Sequence, residues 1–326
     1  MPADREDKNV EAKSTQQAAT PQIRADWIWT DGEFVRWEDA TIHIMSHVAH
    51  YGSSVFEGIR AYDTPRGPAF LRLDDHMRRL QASARIHRMA VTWTLEELAD
   101  ASADLVRRNG LTSCYLRPLV FRGVGAMGLD PMRCPTHVYM MAWDWEAYLG
   151  AGAAERGIDA GVSSWQRPAP NTHPTMAKAG GNYVNASLMK MEARRNGFDE
   201  AIALSVDGTV SEGSGQNLFV VQGSVVHTPS VDGSFLQGIT RDSILTLARE
   251  LGFTVREGRV PREALYVADE VFFAGTATEV VPVRSVDGEP VGDGEPGAVT
   301  CAIRDRFGSL LRGLSDDRHD WLTYVD

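Results

Sequence analysis

Four stretches in the first half of the chain carry the hydrophobic patterns of β-strands. Residues 26–39 (DWIWTDGEFVRWED) predict a hairpin, and the run TIHIMSH at 41–47 predicts a further alternating strand. CYLRPLVFRG at 114–123 and THVYMMAWDW at 136–145 predict two more strands. The first half is therefore expected to contain a sheet.

Two segments between these strands have the spacing of amphipathic helices. The segment LDDHMRRLQASARIHRMA at 73–90 places four apolar side chains on one face: Leu73, Met77, Leu80 and Ile86. TLEELADASADLVRRNG at 94–110 predicts a second helix, in which Thr94 and Glu97 have capping-box spacing. The Asn109-Gly110 pair supplies its end.

The second half has a denser strand pattern. IDAGVSSW, from residue 158, predicts a strand, and a loop rich in Pro and Asn leads from it to a predicted helix over 182–197. Residues 200–229 predict successive strands joined by Asp-Gly and Gly-containing turns. ITRDSILTLARELG predicts a helix that ends at Gly252. The remainder, as far as DEVFFAGTATEVVPVRSVDG, is again rich in strand patterns.

Strands come in blocks, and helices do not alternate regularly with them, which favours an α+β fold over a doubly wound parallel sheet. The stretch at 149–157 is rich in Gly and small residues and predicts a linker between two domains. The domains would span 25–148 and 158–326. Residues 1–24 are polar and predict a disordered tail.

Composition narrows the class of protein. Of the 326 residues, 43% are hydrophobic and 24% are charged, as in ordinary globular proteins. A formal net charge of −11 with scattered arginines argues against a nucleic-acid partner. The sequence has neither an apolar run long enough to span a bilayer nor a secretory signal pattern, so no membrane association is expected. Three cysteines without a CxxC motif fit a reducing cytoplasm.

One glycine motif resembles a nucleotide site but lacks its context. Gly123-Val-Gly125-Ala-Met-Gly128 has dinucleotide-turn spacing and follows a predicted strand. That motif needs a helix that opens at the glycines. Pro131 and Pro135 forbid a regular helix there, so no dinucleotide site is predicted.

Three histidines, His43, His47 and His50, suggest a metal site at first sight. Strand periodicity would divide them between two faces, and no HExxH motif is present. They are interpreted as core or hydrogen-bonding residues, and no metal is expected.

Lysine is nearly absent from this chain. Of the 33 basic residues, 29 are Arg and four are Lys: Lys8, Lys13, Lys178 and Lys190. Arg replaces Lys in ion pairs but cannot act as an amine nucleophile, because its guanidinium stays protonated. Two of the lysines lie in the tail and one lies in a predicted helix. Codon bias explains such scarcity as well, but Lys178, in NTHPTMAKAGGNY, is the candidate for Schiff-base chemistry.

Two further segments predict an anion site. Gly238-Ile239-Thr240 lies where a turn enters a predicted helix, whose free amides and dipole favour phosphate. Taken alone, this position favours Thr240 as a simple N-cap. The turn at 275–279 ends an apolar strand with small hydroxyl residues and offers several amides. By position alone, Arg79 would be assigned to a solvated helix face and Glu212 to a surface turn.

Seven segments, in one order and spacing, resemble the branched-chain aminotransferases of the fold-type IV pyridoxal-phosphate enzymes. They cover about residues 25–326 and are YGSSVFEGIRAY at 51–62, HMRRL at 76–80, YLRPLVFRG at 115–123, APNTHPTMAKAGGNY at 169–183, DGTVSEGSGQNLF at 207–219, LQGITRD at 236–242 and ADEVFFAGTATEVVPV at 268–283. The resemblance implies a two-domain α+β fold with a smaller N-terminal and a larger C-terminal domain.

The resemblance also implies the residues that bind pyridoxal 5′-phosphate. Lys178 would be the Schiff-base lysine and would move the proton between the substrate and the cofactor. Glu212 would face the pyridine nitrogen, and Tyr183 would bind the ring's 3-hydroxyl. The phosphate would be held by a further group of residues: Arg79, Ile239, Thr240 and Thr276.

For the substrate, the resemblance implies that the amides of Thr276 and Ala277 receive the α-carboxylate. Phe56, Tyr183 and Tyr148 would form the apolar pocket. Arg117 and Tyr51 would accept the second carboxylate of glutamate.

Tyr51 and a loop that contains Met127, Gly128 and Leu129 would reach the site from a neighbouring subunit. A homodimer or a higher homo-oligomer is therefore implied. The expected activity moves the amino group of L-leucine, L-isoleucine or L-valine to 2-oxoglutarate, and the reverse, through a pyridoxal/pyridoxamine phosphate ping-pong cycle.

Other activities share this lysine and phosphate site. A D-amino-acid aminotransferase, an (R)-selective amine transaminase and an aminodeoxychorismate lyase would differ in the side-chain pocket. The motifs at Tyr51–Gly58 and Tyr115–Arg117, with the Gly125–Gly128 loop, favour the branched-chain type. A catalytically silent binding protein is the alternative from another class, and the joint presence of Lys178, Glu212 and Tyr183 argues against it.

Overall fold

The computed structural model describes residues 25–145, 149–150, 152–230 and 235–325. Up to Trp143 the described chain forms seven strands and three α-helices. The strands are β1 (Trp27–Thr30), β2 (Glu33–Arg36), β3 (Ser54–Phe56), β4 (Ile59–Tyr62), β5 (Ala69–Leu71), β6 (Cys114–Arg122) and β7 (Thr136–Trp143). The helices are α1 (His47–Tyr51), α2 (Leu73–Ile86) and α3 (Leu95–Arg108).

The rest of the described chain supplies the remaining elements. Its helices are α4 (Ala153–Arg156), α5 (Tyr183–Arg195), α6 (Ile239–Glu250) and α7 (Ala298–Leu311). Its strands are β8 (Ile158–Val162), β9 (Glu200–Leu204), β10 (Val210–Gly213), β11 (Asn217–Gln222), β12 (Val225–Pro229), β13 (Thr254–Gly258), β14 (Glu270–Gly275), β15 (Glu279–Val286), β16 (Glu289–Pro290) and β17 (Leu322–Tyr324).

The strands form two sheets. The first has the order β17-β5-β4-β6-β7-β1-β2, with β3 also paired to β6. The second has the order β10-β9-β8-β15-β14-β11-β12-β13, with β16 on β15. Antiparallel pairs dominate, while β8 pairs in parallel with β9 and β15, and β12 with β13. The predicted α+β fold is confirmed.

Helices α2 and α3 pack on the first sheet through the predicted apolar face. Leu73, Met77 and Leu80 are buried there, whereas Ile86 is 42% exposed. The prediction for Ile86 is wrong because a helix turns by about 100° per residue, which places Ile86 roughly 220° around α2 from Leu73, on the opposite face. The capping box of α3 is confirmed, with both Thr94–Glu97 hydrogen bonds present.

The predicted strand at 41–47 is wrong. Residues 41–46 join no sheet, and α1 begins at His47. Local hydrogen bonds compete with strand pairing here: the Met45 amide donates to His43 Nδ1 at 3.1 Å, and the Ser46 amide donates to the His43 carbonyl at 2.8 Å. Short polar side chains that bind neighbouring backbone favour such turns.

We propose that the two sheets mark the two domains. The 149–157 stretch lies between β7 of the first sheet and β8 of the second, and it contains α4. The last strand, β17, returns to pair with β5 of the first sheet. Residues 322–324 therefore lie with the first sheet, although the sequence places them at the end of the second domain. Within the described residues, no helix combines the length and the apolar character needed to cross a membrane.

Candidate active site

A cleft opens where α2 of the first half meets the strand ends of the second sheet. All seven residues predicted to hold the cofactor line it: Arg79, Lys178, Tyr183, Glu212, Ile239, Thr240 and Thr276. Folding brings these residues together from five separate parts of the chain.

The backbone of Lys178 is held on both sides. Its amide donates to Ser83 Oγ of α2 at 3.0 Å, and its carbonyl accepts from the Phe56 amide of β3 at 2.9 Å. The side-chain amine lies 2.8 Å from Tyr183 Oη. Because α5 begins at Tyr183, the helix start fixes this phenol beside the lysine. These three contacts fix the position of the amine.

Aromatic rings and a second cation continue the site from the lysine. The rings of Phe56 and Tyr183 meet edge to face with centroids 4.8 Å apart, and the Lys178 amine lies 5.1 Å from the Phe56 centroid. The Arg117 guanidinium lies 4.7 Å from the centroid of the same Phe56 ring. The predicted apolar wall therefore contacts both the lysine and the arginine expected to bind a second carboxylate.

Glu212 lies in β10 and is buried, so its assignment to a solvated surface turn is wrong. Its Oε1 lies 2.9 Å from Arg167 Nε, and both side chains are nearly inaccessible. Burial raises the pKa of Glu212 to about 7, although the charges of Arg167 and Lys178 oppose that rise. A carboxyl group poised in this way can pair with a protonated ring nitrogen.

The start of α6, which also lines the cleft, has the features that favour an anion. Helix α6 begins at Ile239 with Gly238 as its N-cap, so Thr240 lies inside the first turn, where it is buried, and is not the cap. A β-carbon on Gly238 would lie 2.0 Å from Asn217 Oδ1, which explains the glycine. The hydroxyls of Thr240 and Thr276 lie 3.4 Å apart. Free amides and hydroxyl groups at a helix N-terminus favour a phosphate.

Arg79 also lines the cleft and is paired with a buried carboxylate, not solvated. Its Nε and Nη2 donate to the two Glu57 oxygens at 2.6 and 2.8 Å, and its Nη1 donates to the Gln237 carbonyl at 2.8 Å. His76 Nδ1 lies 2.7 Å from Glu57 Oε2. Burial would raise the pKa of Glu57, but the charge of Arg79 and the hydrogen bonds hold it well below its usual range. The fork is therefore fixed in orientation.

The residues predicted to bind substrate are spread over a larger region than those predicted to bind cofactor. Phe56 contacts Tyr183, which lines the cleft, and Arg117 lies next to Phe56. Ala277 lies half-buried in the same turn as Thr276.

Of the described residues predicted to bind substrate, only Tyr183 and Thr276 line the cleft itself. Tyr51 and Leu129 neither line it nor adjoin a lining residue in sequence. Both are exposed, and 88% of Leu129 is accessible. Tyr148 lies outside the described residues.

Sequence reasoning missed Arg167 and gave no role to Glu57. Arg167 is one of 29 arginines, so neither its residue type nor its position signalled that it is buried against Glu212. Glu57 follows an apolar run in VFEGIR, and a carboxylate within a buried pattern is the signal that could have indicated a paired charge.

The histidines His47 and His50 make hydrogen bonds, as interpreted. His47 bridges Ser53 Oγ at 2.7 Å and the Gly128 carbonyl at 3.0 Å, and His50 contacts the Ile44 carbonyl at 3.0 Å. No cluster of three or more His, Cys, Asp or Glu side chains suited to a metal occurs in the described part of the chain.

The donors in the cleft fit pyridoxal phosphate. An amine beside a phenol suits the aldehyde and the 3-hydroxyl, the buried carboxyl of Glu212 suits the ring nitrogen, and the start of α6 suits the phosphate. The Glu212 carboxyl is buried beside two cations and still has a raised pKa, so a cationic ring nitrogen would stabilise its ionised form.

Comparisons with known proteins identify relatives over most of the chain. The family described as "Amino-transferase class IV" matches residues 54–286. The branched-chain-amino-acid aminotransferase of Escherichia coli (strain K12) is 54% identical over 304 residues, which cover 93% of this chain and 98% of that protein. The crystal structure of an Escherichia coli branched-chain amino acid aminotransferase superposes with a TM-score of 0.91 at 54% identity, covering 93% of this chain and all of that one.

A second solved structure is that of a holoenzyme. The branched-chain amino acid aminotransferase of Thermobaculum terrenum in its pyridoxal-phosphate form has a TM-score of 0.86 at 33% identity, covering 93% of this chain and 99% of that one. The chain therefore belongs to the class IV aminotransferases, which are pyridoxal-phosphate enzymes of fold type IV. Within that family it belongs to the branched-chain-amino-acid aminotransferases, and the expectation drawn from the sequence is confirmed.

Proposed function

We propose that this enzyme moves the amino group of L-leucine, L-isoleucine or L-valine to 2-oxoglutarate, and catalyses the reverse transfer, in a ping-pong cycle. The observation that carries the proposal is the arrangement of one cleft. The Lys178 amine beside Tyr183, the Glu212 carboxyl and the start of α6 all line this cleft. This is the set of groups that amino transfer through a pyridoxal cofactor requires.

Pyridoxal phosphate, when bound, supplies an aldehyde for the amino group and a ring that withdraws electrons from the substrate's α-carbon. Lys178 provides the amine that would hold this aldehyde. Once substrate has displaced it, the same amine would take the proton from the substrate's α-carbon and deliver it to the cofactor's C4′ carbon. Hydrogen bonds from its amide and to its carbonyl fix the backbone that carries this amine.

Glu212 would keep the ring nitrogen protonated, and Arg167 would hold the carboxylate in place from behind. Tyr183 would donate its phenol to the ring's 3-hydroxyl oxygen. Arg79, the amides of Ile239 and Thr240, and the hydroxyls of Thr240 and Thr276 would bind the phosphate.

For the substrate, the amides of Thr276 and Ala277 would receive the α-carboxylate. Phe56 and Tyr183 would contact the branched side chain, and Tyr148 would complete that wall. Arg117, next to Phe56, would accept the second carboxylate of glutamate. An apolar wall with a cation at its edge serves both kinds of substrate in one pocket.

We further propose a homodimer or a higher homo-oligomer in which Tyr51 and the 127–129 loop complete the site of a neighbouring subunit. Both are exposed in the single chain, and apolar neighbours such as Ile44 and Met132 are exposed with them. Such a patch favours a protein partner over solvent. The three cysteines are unpaired, which supports a location in the reducing cytoplasm.

A donor panel tests the proposed function. L-leucine, D-alanine and (R)-1-phenylethylamine are offered to the purified enzyme with 2-oxoglutarate, and glutamate formation is measured. L-leucine is expected to react fastest, and the protein is expected to be yellow as purified. Faster turnover of D-alanine or of the amine would contradict the substrate assignment, and a colourless, inactive protein would contradict the enzyme assignment.

A further inference from the structure

The turn between β14 and β15 contains a residue in a backbone conformation that its side chain disfavours. Glu279 has a φ of 57°, in the left-handed region. It pairs with Gly275 across the hairpin, so that residues 276–278 form a three-residue loop. The left-handed residue in a hairpin loop of this length is usually glycine, which has no β-carbon to clash.

The Glu279 side chain makes a contact that glycine could not make. Its Oε1 accepts a hydrogen bond from Arg60 Nη1 at 2.6 Å, and the Arg60 side chain is only 12% exposed. Arg60 belongs to β4 in the first sheet, whereas Glu279 begins β15 in the second. The guanidinium is itself held over the Tyr62 ring, 4.7 Å from the centroid. The ion pair therefore ties the turn to the opposite sheet.

This turn forms part of the cleft. Thr276 lines it, and its hydroxyl approaches that of Thr240 at the start of α6. A disfavoured backbone conformation persists where the surrounding structure holds it, and such positions concentrate at functional sites. Glu279 lies two residues after Ala277, next to the amides that are proposed to bind the α-carboxylate.

We propose that Glu279 is a positioning residue for the substrate: its ion pair with Arg60 holds the Thr276–Ala277 amides in the orientation that receives the α-carboxylate. The inference rests on the proposed function, in which those amides bind that carboxylate. The strained backbone at Glu279 is the cost of a carboxylate at this position.

Two substitutions distinguish the contribution of the Glu279 side chain from that of its backbone conformation. Glu279→Gly and Glu279→Asn both suit a left-handed conformation and both remove the ion pair. The KM for L-leucine is expected to rise by about five- to tenfold, the effect of losing a partly buried charge pair, while kcat changes little. Binding of 4-methylvaleric acid, which keeps the carboxylate but lacks the amine, should weaken by the same factor in the holoenzyme. The melting temperature should stay within about 3 °C of wild type, because relief of strain offsets the lost pair.

Arg88→Gly is the matched backbone control. Arg88 also has a φ of 57°, is exposed, and lies outside the cleft. Its replacement should leave the KM for L-leucine and the affinity for 4-methylvaleric acid unchanged. Arg60→Met tests the partner of Glu279. In the double variant Arg60→Met/Glu279→Gly, the KM for L-leucine should be no higher than in the worse single variant, because both substitutions remove the same ion pair.

Unchanged KM and unchanged 4-methylvaleric acid affinity in both Glu279 variants would overturn the inference. So would misfolding of both, or equal losses of cofactor affinity, stability and KM, since these outcomes indicate a general structural role. Failure of the wild-type enzyme to use L-leucine would instead overturn the proposed function, so the two failures are distinguishable.

Discussion

A lysine amine and an arginine guanidinium carry the same charge, yet only the amine can lose its proton and act as a nucleophile near neutral pH. Lys178 lies in the cleft with its amine 2.8 Å from Tyr183 Oη. Lys190, in α5, instead forms an ion pair with Glu200 at 2.6 Å. The two lysines differ in the role that their surroundings allow, which gives a matched pair of substitutions.

We predict that Lys178→Arg lowers transamination by at least about 10³-fold, since it removes the general acid–base group while keeping a positive charge. Lys190→Arg preserves the charge and the ion pair, and is expected to leave activity near wild type. Initial rates with L-leucine and 2-oxoglutarate measure both effects. Substantial turnover by the Lys178 variant would exclude the assigned role.

Glu212 makes the stability of the cofactor-free protein depend on pH. Burial raises its pKa to about 7 in the folded protein, from an ordinary value of 4.5. Between these values the folded state keeps a proton that the unfolded state has lost, so stability falls as pH rises through this window. The loss is of the order of 3 kcal/mol at its fullest. Below this window Glu212 is protonated in both the folded and the unfolded state, so it no longer makes stability depend on pH.

We predict that Glu212→Gln removes this decline. Urea unfolding of the cofactor-free wild type and variant at pH 5 and pH 8 should show the wild type losing more stability than the variant. If the stability of wild type and variant changes equally between pH 5 and pH 8, the raised pKa of Glu212 is contradicted. The variant should still bind cofactor through the phosphate end but lose most activity, because a neutral amide does not keep the ring nitrogen protonated.

At the scale of elements, β3, β4 and β6 approach closely beside the substrate wall. A β-carbon on Gly58, between β3 and β4, would lie 1.7 Å from Tyr115 Oη of β6. The same hydroxyl lies 3.3 Å from Arg117 Nη2. A glycine at this position therefore lets the Tyr115 ring lie across the strand and contact the arginine expected to bind the second carboxylate.

We predict that Gly58→Ala destabilises the enzyme by about 1–3 kcal/mol through overpacking and raises the KM for 2-oxoglutarate by displacing Tyr115. Gly258→Ala is the control, since a β-carbon there meets no atom within 4 Å among the described residues. Denaturant unfolding and steady-state kinetics measure the two effects. Equal behaviour of the two variants would show that the close approach has no consequence.

At the scale of the whole molecule, the proposed shared site concerns the exposed apolar loops of the first half. Leu129 and Tyr51 lie on this surface, away from the cleft of their own chain. The His47 side chain ties the two segments together through its bond to the Gly128 carbonyl. An ordered apolar loop of this kind is suited to insertion into a neighbouring subunit.

We predict that Leu129→Asp shifts the protein to smaller species and lowers activity in the same proportion, because a buried interface carboxylate is costly. Leu314→Asp is the control, since Leu314 is also exposed, at 66%, but lies near the C-terminus. Native mass spectrometry and activity assays at matched concentration measure both effects. A fully active monomer would contradict the shared site.

The sequence by itself determined most of the elements and named the residues that line the cleft. Periodicity and caps are local properties, so α2, α3 and α6 and most strands of the two sheets could be predicted from neighbouring residues. Residue type made Lys178 a candidate, whereas Tyr183, Glu212 and Thr276 were named through the resemblance of whole segments to a known family. The strand expected at 41–47 was wrong because its alternation was overridden by local hydrogen bonds.

Only the tertiary structure decided which charges are buried together. Arg167 against Glu212, Glu57 against Arg79, and Arg60 against Glu279 join residues that are between 22 and 219 positions apart. No local pattern encodes such pairs, because an arginine or a glutamate has the same sequence signature whether it is solvated or enclosed. The return of β17 to the first sheet has the same origin: it depends on an open strand edge that exists only once β5 is in place.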